Sequence, residues 1–168
     1  MISQAEYERH LYWMKKAIAL AEIAGKSGEI PVGAIVVDEQ NKLIAQSGNR
    51  KEKEQDSTAH AEILAIRAAS HYRQDWHLNS CTLYVTLEPC PMCAGAIIHA
   101  RLKTVVYGVD DPKTGALRSV ANFPDSVFSN YCPEVIAGIA ATDCRQLLQT
   151  WFMKSRQSCG NIEHKWVT

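Results

Sequence analysis

Apolar and polar positions follow two rhythms along this chain. Leu11, Met14, Ile18 and Ala21 recur at helical spacing, so residues 7–24 read as an amphipathic helix that ends near Gly25. Gly25-Lys26-Ser27-Gly28 is a turn by composition. Residues 31–37 then form an apolar run of strand length, Asp38-Glu39-Gln40-Asn41 reverses the chain, and residues 42–47 return as a second strand. The polar stretch 49–57 reads as a loop. A helix is expected to begin between Thr58 and His60 and to run to about Ser70 through Ile63, Leu64 and Ile66. Residues 81–87 are apolar enough for a strand buried on both faces. Pro89 ends that strand, and Pro91 is tolerated in the first turn of a helix reaching His99. Residues 104–109 are a fourth strand, 110–133 are long and irregular, 135–139 are a short fifth strand, and 142 to about 156 form a closing helix.

This order implies an α/β fold, a mixed five-stranded sheet flanked by helices. The chain has 168 residues, of which 46% are hydrophobic. That length suits one domain over residues 1–168, because dividing it would leave two marginal cores. No apolar run approaches the ~18–20 residues of a membrane span. The start, Met1-Ile2-Ser3-Gln4-Ala5-Glu6, lacks the basic and apolar segments of a signal peptide, so a cytoplasmic location is expected. Eighteen basic and 18 acidic residues cancel, so any nucleic-acid partner has to be held by local and not global charge.

Six cysteines could suggest disulfides, but that pattern belongs to short secreted chains. Cys81, Cys132, Cys144 and Cys159 are scattered and read as ordinary thiols. Cys90 and Cys93 are different. They bracket a helix start within Pro89-Cys90-Pro91-Met92-Cys93, where the helix dipole favours thiolates. His60-Ala61-Glu62 lies 30 residues earlier, at another expected helix start. Imidazole nitrogen and thiolate sulfur are preferred zinc donors. Three donors, not four, leave one position for a water whose pKa falls from ~15.7 to near ~7. Glu62 is the candidate proton carrier. Residues two apart do not share a helix face, so His60 and Glu62 converge only if they straddle the helix start. Alone, Cys-Pro-Met-Cys would also suit a redox pair, and Glu62 a solvated carboxylate.

Together, H-x-E and P-C-x-x-C form the signature of zinc nucleobase deaminases. The chain resembles the cytidine-deaminase-like superfamily, and within it the bacterial tRNA-specific adenosine deaminases. The likeness rests on Thr58-Ala59-His60-Ala61-Glu62-Ile63, on Thr82 through Ala96 including Leu87-Glu88-Pro89-Cys90, on Glu29-Ile30-Pro31-Val32-Gly33-Ala34, on Gly48-Asn49-Arg50 and on Asp111-Pro112-Lys113-Thr114-Gly115-Ala116. It implies a three-layer α-β-α fold, one Zn2+ per chain on His60, Cys90 and Cys93, and Glu62 as catalyst. It also implies hydroxide attack on C6 of the wobble adenosine of a tRNA anticodon stem-loop, giving inosine, by a homodimer. Asn49 matches the family residue that hydrogen-bonds the base. Further substrate contacts are implied for Pro31, Val32, Ala61, Leu87, Glu88, Pro89, Asp111, Lys113 and Phe152, with Arg118, Lys154 and Arg156 as phosphate candidates. Residues 121–129 and Asn130-Tyr131-Cys132-Pro133 depart from the family pattern. The competing reading is a deaminase of a free base or nucleoside, guanine or cytosine, which needs the same metal core.

Overall fold

The computed structural model describes residues 2–127 and 129–158. Phe128 and Cys159 lie outside them. Helix α1 (Gln4–Lys26) begins three residues before the periodicity suggests, because Ser3 and Glu6 cap it reciprocally. The Glu6 N–H donates to Ser3 Oγ at 3.2 Å, and the Ser3 N–H donates to the Glu6 carboxylate at 2.8 Å. Its buried stripe is His10, Trp13, Met14, Ala17, Ala21 and Ala24. Leu11 and Ile18, expected on that stripe, sit at its margin. The cause is close approach: a Cβ on Gly33 would run into the backbone carbonyl of Ala17, so small residues face the sheet here.

Strands β1 (Gly33–Val37) and β2 (Leu43–Gly48) form the expected hairpin. The short helix α2 (Lys51–Glu54) lies in what the sequence presents as loop, and α3 (Ala61–Arg73) follows it. Next come β3 (Thr82–Leu87), α4 (Pro91–His99), β4 (Thr104–Val109), β5 (Glu134–Ala137) and α5 (Ala141–Ser158). Residues 110–133 contain turns but no helix or strand among those described. β5 starts and stops earlier than expected, and Gly138 with φ 87° turns the chain away.

The sheet order is β2-β1-β3-β4-β5. β1 is antiparallel to β2 and β3, while β3, β4 and β5 are parallel. Alternation along the strands feeds two cores. Ala34, Val36, Leu83, Val85, Val105 and Tyr107 pack with Ala61, Ala65, Ala69, Ala94 and Ile97 of α3 and α4. Ile35, Val37, Tyr84 and Val106 pack with Trp13, Met14 and Ala17 of α1 and with Cys144 of α5. The result is a three-layer α-β-α sandwich. Among the described residues no helix is long and apolar enough to cross a membrane.

Candidate active site

The topology brings the chemistry-bearing residues to one end of the sheet. β1 opens where β2 closes, with Gly33 opposite Gly48. Because β1 is antiparallel to β3, that end is also where β3 leaves at Leu87, beside Val109 of β4. Pro31, Val32, Asn49, Leu87, Glu88, Pro89 and Asp111 therefore leave the strands at the same end, the carboxyl edge where open α/β sheets take ligands. Cys90 caps α4, and Pro91 supplies the first helical residue. His60 caps α3 with extended backbone (φ −70°, ψ 150°), while Glu62 lies in the first turn. The pair thus straddles the helix start, as convergence requires.

His60 Nδ1 lies 3.7 Å from Cys90 Sγ and 3.6 Å from Cys93 Sγ. All three donor atoms are within 4.8 Å of one another, so the group is placed to hold a metal ion. A nitrogen at about 2.05 Å and a sulfur at about 2.3 Å on one tetrahedral zinc would themselves be about 3.6 Å apart, so the two distances from His60 to the sulfurs match that ion. Electrostatics agree. The hydrogen bond with Cys93, reinforced by His60, lowers the Cys90 thiol to about 4. Its hydrogen bond to Cys90, together with burial, pushes the Cys93 thiol up. The hydrogen bond with Cys90 raises His60.

Glu62 is 4% exposed, and burial raises its carboxyl above the usual range. Ala61, beside it in sequence, is buried, as are Val32 and Pro89, while Leu87 is partly buried. Asn49 is held by its backbone: its N–H donates to Val32 O at 2.9 Å, and the next N–H, of Arg50, donates to Ala59 O at 3.0 Å, one residue from His60. The Asn49 side-chain oxygen is buried with no hydrogen-bond partner among the described residues. The sequence reading overlooked Glu29. It is 2% exposed, accepts from the backbone N–H groups of Glu52 and Lys53 at 3.1 and 2.8 Å, and faces Asn49 Nδ2 at 3.4 Å. The available signal was a lone acid in an otherwise apolar stretch leading into a strand.

Glu88, expected to touch the substrate, is engaged within the protein. Its buried carboxylate accepts from the N–H groups of Asp111, Leu117, Arg118 and Ser119 at 2.7–3.2 Å, and from the Ser119 hydroxyl. The side chain is therefore committed to folding residues 110–119 against the end of β3. A Cβ on Gly115 would strike that carboxylate, so glycine is required there by space. Asp111 caps its own turn, accepting from Lys113 N at 2.9 Å and Thr114 Oγ1 at 2.7 Å. Lys113 and Phe152 are exposed. Phe152 stands edge-on to Trp151, whose Nε1 donates to Gly25 O at 3.1 Å and so pins α5 beside the turn that leads to Pro31. Among the remaining thiols, Cys81 and Cys144 are buried and Cys132 is exposed.

A mixed sheet presenting a His-Cys-Cys group at two helix starts, with a buried glutamate adjoining, defines a deaminase. The family model of MafB19-like deaminases matches residues 8–139. The tRNA-specific adenosine deaminase of Haemophilus influenzae is 46% identical over 144 residues, 86% of this chain and 83% of its own. That of Bacillus subtilis is 41% identical over 86% of this chain and 89% of its own. A solved structure from work on A-to-I editing by tRNA:A34 deaminases superposes with TM-score 0.80 at 41% identity, covering 82% of this chain and 99% of that one. The guanine deaminase of Nitrosomonas europaea gives 0.69 at 25% identity over 82% and 81%. The chain belongs to the tRNA-specific adenosine deaminase family.

Proposed function

We propose that this chain, as a single domain over residues 1–168, hydrolyses adenosine to inosine at the wobble position of a tRNA anticodon. One observation carries the reading: three metal-donor side chains converge beside a buried glutamate, in a chain 41–46% identical to enzymes of that name. His60, Cys90 and Cys93 hold one zinc ion. Three protein ligands leave a fourth position open, which suits a catalytic ion and not a structural one. The ion, when bound, acidifies water enough to supply a nucleophile at neutral pH.

Glu62 takes the proton from the attacking water and passes protons to the ring and to the departing amine, so that water and adenosine become inosine and ammonia. Its burial raises the carboxyl above the usual range, which suits a group that both accepts and donates. Asn49 binds the base edge. Pro31, Val32, Ala61, Leu87 and Pro89 form the pocket wall that excludes water, and Glu88 holds the wall's outer loop. Asp111, Lys113 and Phe152 meet the anticodon strand, with Arg118, Lys154 and Arg156 on phosphates. The anticodon loop leaves the wobble nucleotide unpaired, so moving it into a pocket costs little.

The enzyme works in the cytoplasm as a homodimer. Support for the dimer comes from α4, which carries no Asp, Glu, Lys or Arg, yet leaves Pro91 and His99 exposed and Met92, Gly95 and Ala96 partly so. Sedimentation of Gly95→Arg should show monomers where the parent shows dimers.

Purified protein assayed on an anticodon stem-loop with A at the wobble position, beside free guanine, cytosine and cytidine, tests the reading. Inosine in the RNA is the expected product. Turnover of a free base with no inosine overturns it.

A further inference from the structure

Asn49 lies on the site's edge with its two amide atoms in opposite situations. Nδ2 faces the Glu29 carboxylate at 3.4 Å, while Oδ1 is buried without a partner among the described residues. A carboxylate only accepts hydrogen bonds. Turning the amide over would set oxygen against oxygen, so Glu29 permits one orientation of Asn49. Glu29 itself is fixed, because the N–H groups of Glu52 and Lys53 both donate to it. This also explains α2, a four-residue polar helix with no apolar face to hold it. Buried acceptors are rarely left unpaired, and the residue that follows this one, Arg50, donates its N–H to Ala59 O, one residue before His60.

We propose that Glu29 is a positioning residue that sets which base edge Asn49 can read. With one Nδ2 hydrogen committed to Glu29, Asn49 offers a free acceptor, Oδ1, and one remaining donor on Nδ2. That pair complements the N6 amine and N7 of adenine, the bidentate contact an asparagine makes with this base. It mismatches guanine, which presents two acceptors, O6 and N7, on the same edge. Specificity for adenine over guanine is thus set by a residue that does not touch the substrate. The inference rests on the function proposed above.

The test uses the full-length, zinc-loaded protein and its isosteric Glu29→Gln variant. Each is assayed on two anticodon stem-loops, one with adenosine and one with 7-deazaadenosine at the wobble position. The wild type should prefer adenosine by about tenfold, one hydrogen bond's worth, because 7-deazaadenosine lacks the N7 acceptor. In Glu29→Gln, whose own amide can face either way, that preference should shrink to about one. A merely structural role would lower both activities together and keep the ratio; that result overturns the proposal. A second readout needs no variant: in the wild type the Asn49 side-chain amide protons should show NOEs to the Glu52 N–H, which shares the same carboxylate oxygen, and their absence also overturns it. A wild type that forms no inosine from the adenosine stem-loop overturns the function reading itself, and this inference with it.

Discussion

Two buried glutamates lie at the same end of the sheet and live in opposite surroundings. Glu88, just past β3, is surrounded by donors: four backbone N–H groups and a hydroxyl converge on it. Glu62, in the first turn of α3, is equally buried, yet burial raises its carboxyl and its neighbours are the Cys90–Cys93–His60 group. Burial alone therefore does not mark a catalytic acid. A saturated carboxylate is a structural clasp, because every lone pair already has a fixed partner. A carboxylate kept short of donors is free to exchange protons.

Experiments can break or sharpen this contrast. Stripping metal with a chelator should abolish inosine formation and lower the melting temperature, with both restored by one equivalent of zinc per chain, read by elemental analysis. Glu62→Ala should cut kcat by about a thousandfold while zinc content and melting temperature hold. Substantial residual activity there would place the proton carrier elsewhere. Glu88→Ala should do the reverse. It strands several buried N–H groups and should cost about 3 kcal/mol in urea unfolding, with the metal still bound. Gly115→Ala tests the same clasp by crowding it, at about 1–3 kcal/mol. In stability, Asp111→Ala removes a half-buried turn cap and should cost about 1 kcal/mol in the same unfolding experiment. If Glu62→Ala destabilised the protein as much as Glu88→Ala, the distinction between clasp and catalyst would fail.

Much of this was legible from residue order. Alternation and helical spacing located the five strands and the major helices, since each buries a face whose period the sequence records. The donor set was legible too, because Cys-Pro-Met-Cys and His-Ala-Glu sit at helix starts that local chemistry announces. The limits came where local pattern is silent. α2 has no apolar face and exists because Glu29 accepts from its N–H groups across 23 residues. The early start of α1 was readable in Ser3 and Glu6 but hidden from periodicity. The α1 stripe turned toward Ala17 because Gly33 lets the backbones touch, a tertiary fact.

The sequence by itself determined which atoms are available: two thiols and an imidazole able to hold a metal, several carboxylates and an amide. It also determined the strand and helix alternation that such an α/β fold needs, because hydrophobic periodicity is a local property. Only the tertiary structure decided what those atoms do. Whether His60 comes within 3.7 Å of two sulfurs 30 and 33 residues away depends on strand pairing and not on spacing. So does the division of labour among Glu29, Glu62 and Glu88, three acids of identical chemistry. The donors that reach each one come from distant segments, and a carboxylate's role follows from those donors.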